Sequence, residues 1–376
     1  MTDPREAALR AYKKGIQATR GDLLMKQIAA QEPFDQQGIV HVLAVGKAAA
    51  AMAKGYRAGN RNAITGLIIG PTPLAKSSAW RVLESDHPFP TERSLRAGEA
   101  AFKFCRDLEP NQTLVVLLSG GTSALMEHLK PGTELADFQQ KTKGLYRSGA
   151  TIQELNAFRK EHSLIKAGGL ARVLHKKVNA CVYVISDVEG DDLNVIGSAP
   201  FLDESRPIPH TILANNETAR FAAAASLTKS GYRVTVPEDF VKSDVTDFAQ
   251  TLVAWAENAQ PGEAYVSGGE TTLHVTGNGT GGRCQHLALL SASLLAQKGI
   301  TGITILCAGT DGRDGPTDQA GACISLAPNP TKQDRQRWQG ALDTCDTTPL
   351  LKAEGYGIPA FTSGTNVNDL MLVLKH

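Results

Sequence analysis

Short apolar runs alternate with segments of helical periodicity along the first two thirds of the chain. Ile39–Val45 (IVHVLAV) reads as a buried strand, and AAAAMAKGYRAG follows it as a helix. Leu67–Ile69 and Val82–Leu83 are short strands. Thr91 is a predicted N-cap for a helix over Arg93–Asp107. Leu114–Leu118 (LVVLL) and Cys181–Ile185 (CVYVI) are further strands. Ile212–Ala214 leads into a helix over Glu217–Lys229, and Val234–Val236 closes the series. Alternating β and α units of this length predict a parallel sheet covered on both faces. Right-handed crossovers then place the functional loops at the carboxyl ends of the strands.

The second half repeats the theme. A helix is predicted over Val245–Ala259, and QPGE marks a turn. Ala264–Val266 and Thr272–Val275 flank a glycine loop and are expected to form an antiparallel pair. Gln285–Lys298 is helical, Ile303–Cys307 (ITILC) is a strand, and Leu370–Leu374 is the last strand. Polar and charged residues near Val236–Ser243 separate the two series, so two domains are expected, 1–236 and 237–376. LVVLLSGGTSAL and AYVSGGETTL each place Ser-Gly-Gly directly after an apolar strand. This echo suggests two similar anion-cradling turns, one per domain.

Composition narrows the class. A chain of 376 residues, 42% hydrophobic and 20% charged, can bury a sizeable core and is not disordered. Its 39 Lys and Arg against 38 Asp and Glu leave a formal net charge of +1, so no basic excess points to nucleic acid. No two of the six cysteines lie in a CxxC spacing, which suggests neither a zinc ribbon nor a redox motif. The opening MTDPREAALRAYKKG carries no apolar run, and no stretch approaches the roughly 20 apolar residues of a membrane span. A cytoplasmic protein with reduced cysteines is expected.

Chemistry concentrates in seven glycine-containing turns. They are VGKAAAAMA, LLSGGTSAL, VISDVEGDD, VSGGETT, GNGTGGRCQH, AGTDGRDGPTDQAG and SGTNVNDL. Glycine lets backbone N–H groups approach a ligand, and N–H groups at a helix start favour anions. Turns of this kind that also carry Lys, Arg and Asp suggest phosphoryl chemistry with a divalent metal. A dinucleotide oxidoreductase is the competing class, weakened because no GxGxxG follows a strand of the first, parallel series. No GxxxxGK[ST] and no protein-kinase motif set is present. Lys47 stands where a strand meets a helix among small residues, and the bland alternative is a solvated lysine. Arg283 is either a site cation or half of a surface ion pair. Asp187, Asp191 and Asp192 could hold Mg²⁺ or accept a hydroxyl proton, or could simply shape a turn. Asp311, Asp314 and Asp318 carry the same ambiguity, and Ala322 at the twelfth position excludes an EF-hand. Ser119 and Ser123 lack a GxSxG elbow. Arg159, Lys160 and Lys166 form either a phosphate rim or a basic helix face.

The segments GKAA, HPFPTERSLRAGEAA, LLSGGTSALM, LNAFRKEHSLIKAGGLA, ISDVEGDD, SGGETT, TGGRCQH, AGTDGRDGPTDQAGA and GTNVNDL occur in the order seen in the glycerate 2-kinase (MOFRL) family. The resemblance runs from about Val45 to Leu374. It implies two α/β domains, one Rossmann-like with a mainly parallel sheet, and an active site in the interdomain cleft. Residues 1–236 would be the glycerate kinase domain and 237–376 the MOFRL-type domain. It implies ATP-dependent phosphorylation of D-glycerate to 2-phosphoglycerate with Mg²⁺, and it points to Lys47 and Arg283 as active-site residues.

On that footing, Lys47 and Arg283 would stabilise the transferring phosphoryl group and the substrate carboxylate. Ser119, Gly120, Gly121, Thr122 and Ser123 would cradle substrate or nucleotide, as would Ser267, Gly268 and Gly269. Asp311, Asn366 and Asn368 join this binding set. Asp187 or Asp192 is the base or a metal ligand, with Asp187 placed in the catalytic set, Asp192 in the metal set and Glu270 as a second metal candidate. The expected partners are the acid and ATP, with no nucleic acid and no membrane, and a homodimer is left open. The alternatives are hydroxypyruvate reduction, a kinase for another small hydroxy acid, and a non-enzymatic nucleotide-binding module. Two departures from the family pattern bear on substrate identity: Thr122 in SGGTS, and GGRCQH where the family usually reads GGRNQE. His286 thus replaces a carboxylate, and either faces away from the site or marks a lost negative charge beside Arg283.

Overall fold

The computed structural model describes residues 3–31, 38–60, 62–71, 80–326 and 329–376. The chain opens with α1 (Pro4–Thr19), α2 (Gly21–Gln31), β1 (Val40–Val45), α3 (Ala49–Gly59), β2 (Ile64–Pro71), β3 (Trp80–Ser85), α4 (Glu92–Arg106) and β4 (Thr113–Ser119). Next come α5 (Thr122–Leu125), α6 (Leu135–Arg147), α7 (Ile152–His162), α8 (Gly169–Val173), β5 (Asn179–Ile185), β6 (His210–Ala214), α9 (Asn216–Lys229) and β7 (Arg233–Thr235). The rest is α10 (Val245–Asn258), β8 (Glu263–Gly269), α11 (Arg283–Gln297), β9 (Ile303–Gly309), β10 (Gln319–Leu326), α12 (Lys332–Asp343), α13 (Thr347–Ala353), β11 (Gly357–Pro359) and β12 (Asp369–Lys375). Among the described residues these strands form two six-stranded sheets.

The N-terminal module comprises Arg20–Asn215 with Gly364–Asn366. Its sheet runs β3-β2-β1-β4-β5-β6 and every pair is parallel. Leu43, Val45, Val116, Leu118 and Val184 pack into one core with Ala97, Ala101 and Cys105 of α4. The intervening Val42, Ala44, Val115 and Leu117 are also fully buried, and α3 packs on β1, β2 and β4. Both alternating sets are therefore covered, which is why these strands read as continuous apolar runs. The order is that of a Rossmann sheet, and it reverses between β1 and β4.

The C-terminal module comprises α1, Asn216–Ser363 and Val367–His376. Its sheet runs β11-β10-β9-β12-β8-β7. β12 is antiparallel to both β8 and β9, β10 is antiparallel to β9 and β11, and β7 is parallel to β8. Phe248, Leu252, Leu287, Leu295, Ile305 and Val373 share its core.

Two expectations change. Val234–Val236 does not close the first series, because β7 bonds to β8 in the second sheet. α9 packs on β8 as well, so the modules part at Asn215/Asn216 and at Thr19/Arg20 rather than near Val236. Nor does Thr272–Val275 pair with β8. The antiparallel edge of β8 is taken by β12, whose seven residues are almost wholly buried, and Thr272 makes one parallel bridge to Asp244. No helix among the described residues is long and apolar enough to cross a membrane.

Thr91 caps α4 as its sequence predicts. Its Oγ1 accepts the Arg93 N–H at 3.1 Å, and Ser94 Oγ accepts the Thr91 N–H at 3.0 Å. Thr91→Ala should therefore cost about 1 kcal/mol in urea unfolding monitored on the N-terminal module. An unchanged midpoint would show that the cap is idle.

Candidate active site

In the N-terminal module the chemistry gathers at the carboxyl ends of the central strands. β1 ends in Gly46-Lys47, β4 in Ser119-Gly120-Gly121 and β5 in Ser186-Asp187. Gly46 has φ +125°, and a Cβ there would stand 2.2 Å from Ser119 Oγ, so the two turns touch backbone to backbone. The Lys47 N–H donates to the Gly120 carbonyl at 2.9 Å. Ser119 Oγ accepts the Ala48 N–H at 3.0 Å. Thr122 Oγ1 donates to the carbonyls of Val45 and Ser119 at 3.1 and 2.8 Å. The hydroxyls of Ser119 and Thr122 are thus spent on building the turn.

Lys47 sits half-buried at the point where the strand order reverses, the place where open α/β sheets take ligands. Asp187 Oδ2 accepts from Asn366 Nδ2 at 2.9 Å. A Cβ on Gly120 would fall 2.0 Å from that carboxylate oxygen and 2.1 Å from that amide. Glycine at 120 is what lets the cradle, Asp187 and Asn366 meet.

The C-terminal module has its own constellation. Because β12 is antiparallel to both neighbours, Gly269, Asp369 and Gly309 lie side by side at one sheet end. Arg283 is the first residue of α11. Its Nε and Nη2 donate to Asp369 Oδ2 and Oδ1 at 2.6 and 3.1 Å, and its Nη1 lies 2.7 Å from Glu270 Oε1. Burial works against the guanidinium charge, but Asp369 and Glu270 outweigh it and hold the pKa above its ordinary value. Asn368, at φ +64°, donates from Nδ2 to Glu270 Oε2 at 3.3 Å.

Beneath Arg283, Asp314 accepts the N–H groups of Cys284 and Gln285 at 3.1 and 2.9 Å, and Gln285 Nε2 at 3.0 Å. It caps the helix that presents the arginine. The Tyr12 hydroxyl of α1 donates to the Gly309 carbonyl at 2.6 Å, which ties α1 to this end of the sheet.

The predicted residues are distributed unevenly over these two clusters. Lys47, Ser119, Gly120, Gly121, Asp187 and Asn366 come together in one. Arg283, Glu270 and Asn368 come together in the other. Ser123 Oγ turns to Ser198 Oγ at 2.9 Å. Ser267 and Gly268 are buried, and a Cβ on Gly268 would meet the Asn216 side chain at 2.3 Å. The second Ser-Gly-Gly thus packs on protein. Asp311 takes the Arg313 N–H at 3.0 Å in a local turn.

Asp192 Oδ1 accepts from Asn194 N and Nδ2 at 2.9 and 3.0 Å, and Glu270 is paired with Arg283. Among the described residues no three His, Cys, Asp or Glu side chains gather as a metal centre. Single carboxylates of this kind fit an Mg²⁺ that keeps waters and phosphate oxygens as its other ligands. His286 is buried, and burial lowers its pKa while Asp244 raises it. Arg283 takes its orienting carboxylates from Asp369 and Glu270, so it does not need one at 286. Arg159 and Lys166 are buried rather than forming a rim. Asp369 and Asp314 were missed. Asp369 follows directly on the SGTNVN turn, and Asp314 lies among glycines that read equally as a turn, a base or a metal ligand.

Residues 7–225 match a family described as a domain of unknown function, DUF4147, and residues 263–369 match the MOFRL family. A D-glycerate 2-kinase of Thermotoga maritima is 31% identical over the full length of both chains. A putative hydroxypyruvate reductase of Agrobacterium vitis is 31% identical over 89% of this chain and 98% of its own. A crystal structure of a glycerate kinase from Thermotoga maritima superposes with a TM-score of 0.85 at 28% identity, covering 99% of each chain.

Burial first, and Asp369 nearby, push the Asp314 carboxyl up to about 6 against the hydrogen bonds that favour its charge. The folded state therefore holds this proton more tightly than the unfolded chain. Its stabilising contribution is complete below about pH 4 and is lost as pH rises through about 6. The stability gap between wild type and Asp314→Asn in urea should be wider at acidic than at neutral pH. A gap that widens toward neutral pH would contradict this assignment.

Proposed function

The chain belongs to the glycerate 2-kinase family, and on that premise we propose that it transfers the γ-phosphoryl group of ATP to the 2-hydroxyl of D-glycerate. It is a kinase that phosphorylates glycerate; the donor, the regiochemistry and the residue roles are our reading. The observation that carries them is Lys47 at the strand-order reversal, hydrogen-bonded through its backbone to a glycine cradle.

Phosphoryl transfer asks the protein for position and charge neutralisation more than for covalent chemistry. Lys47 supplies a compact ammonium at the cradle. Asp187, held by Asn366, is the group that takes the hydroxyl proton. Arg283 arrives preorganised by Asp369, so its charge is aimed before substrate binds. Mg²⁺ would be held by Asp192 and phosphate oxygens, and when bound it neutralises phosphate charge. Glu270 would have to release Arg283 to act as a metal ligand. Six cysteines without a disulfide suit a reducing compartment, which supports a cytoplasmic reading.

The reductase reading rests on the names of two relatives, both putative hydroxypyruvate reductases. The turn at the strand-order reversal carries Ala48 and Ala51 where a dinucleotide fingerprint beginning at Gly46 needs glycine, so the kinase reading is the better supported.

With ATP, Mg²⁺ and D-glycerate, the product should feed enolase and pyruvate kinase without added phosphoglycerate mutase. Pyruvate that appears only after mutase is supplied would overturn the 2-phosphate assignment. NADH oxidation by hydroxypyruvate without ATP consumption would establish the reductase instead. Lys47→Ala should lose about 10²–10³ in kcat with the fold retained, and Arg283→Ala should lose as much when combined with Asp369→Asn, which avoids leaving a buried unpaired carboxylate. Near-normal turnover would remove that residue from the catalytic set.

A further inference from the structure

Among the described residues of the N-terminal module, one lysine is wholly buried and is not used by the mechanism above. Lys166 Nζ donates to the Ser123 and Met126 carbonyls at 3.0 and 2.8 Å. These carbonyls lie in and just beyond α5, the single turn of helix that follows the Ser119–Gly121 cradle. One turn of helix is not stable alone, because nucleation fixes many dihedrals for few bonds. Its ends must be held. Thr122 Oγ1 holds the first end through Val45 and Ser119, and Lys166 holds the second.

The residues after the lysine are bound into the same place. Ala167 and Gly168 have φ of +49° and +77°, and their N–H groups donate to the Ser198 and Ala199 carbonyls at 3.0 and 2.7 Å. Gly197, Ser198 and Ala199 are themselves left-handed, at +57°, +59° and +56°. Strain of this kind persists only where the surroundings over-determine it, and it clusters at functional sites. Ser198 Oγ reaches Ser123 Oγ at 2.9 Å and Asn156 Oδ1 at 3.1 Å. Segments 166–168 and 197–199 thus meet on Ser123 from two sides.

We propose that Lys166 is a positioning residue for phosphoryl transfer, a cationic clamp that fixes the cradle through the carbonyls of Ser123 and Met126. This assignment rests on the kinase reading for its effect on turnover. Burial opposes the charge that the clamp holds. The charged groups facing it are Glu127, beyond α5, and Arg159 on α7. Burial lowers the Lys166 pKa to about 8, Glu127 raises it and Arg159 lowers it further.

The test compares wild type, Lys166→Met, Lys166→Arg and the double variant Lys166→Met/Glu127→Gln. The double variant removes both charges, so it remains informative if Lys166→Met alone unfolds around an unpaired Glu127. The clamp predicts a double variant with near-native thermal stability, whose Thr122–Met126 amides exchange about tenfold faster and whose kcat/KM falls by about tenfold or more. Wild-type kcat/KM should decline above about pH 8, and Lys166→Arg should recover activity and lose that decline, since guanidinium stays charged. Native amide protection with kcat/KM within about twofold of wild type would overturn the proposal. If wild type phosphorylates no hydroxy acid, the functional reading fails, and amide exchange in the unliganded protein still decides whether Lys166 is the clamp.

Discussion

A carboxylate as deeply buried as Asp369 must be paired, because an isolated charge pays a desolvation cost that few folds can carry. Arg283 is its partner, and much of the C-terminal module follows from that pair. Asp369 is fixed as the first residue of β12, between Gly269 and Gly309. Arg283 is fixed as the first residue of α11, whose N-terminus is held by Asp314. A strand start and a helix start are thereby locked at one sheet end, with Nη1 left to meet the exposed Glu270. The geometry suits an arginine that meets a phosphate or carboxylate without first having to find its rotamer.

In the N-terminal module the governing constraint is steric rather than electrostatic. Gly46 and Ser119 meet at a distance no side chain permits, and Gly120 leaves room for Asp187 and Asn366. Lys47 is placed by that contact. The strand order then supplies what a glycine-rich turn alone lacks, a crevice where the connections diverge to either side.

The parallel sheet was legible because each strand is apolar on both faces, and Leu114–Leu118 or Cys181–Ile185 leave little choice of element. The C-terminal sheet was less legible. β10 begins inside AGTDGRDGPTDQAGA, where glycine and aspartate read as loop, and β12 displaces Thr272–Val275 by a pairing some 100 residues distant that no local pattern encodes. Lys47 and Arg283 stood out as cations in glycine turns. Asp369, Asp314 and Lys166 did not, because their roles depend on burial, and burial of a charged residue cannot be read from its neighbours in sequence. Lys166 is the sharpest instance: a basic segment suggested a rim, and the fold places the lysine inside.

Everything proposed for the site turns on transfer of a phosphoryl group from ATP to a secondary hydroxyl. Proton-coupled ³¹P NMR of the reaction mixture tests it most directly. A phosphomonoester at the 2-position couples to one carbon-bound proton and appears as a doublet, growing as ATP gives ADP. A triplet would place phosphate on the terminal carbon, and no new resonance with hydroxypyruvate consumed would contradict kinase chemistry altogether.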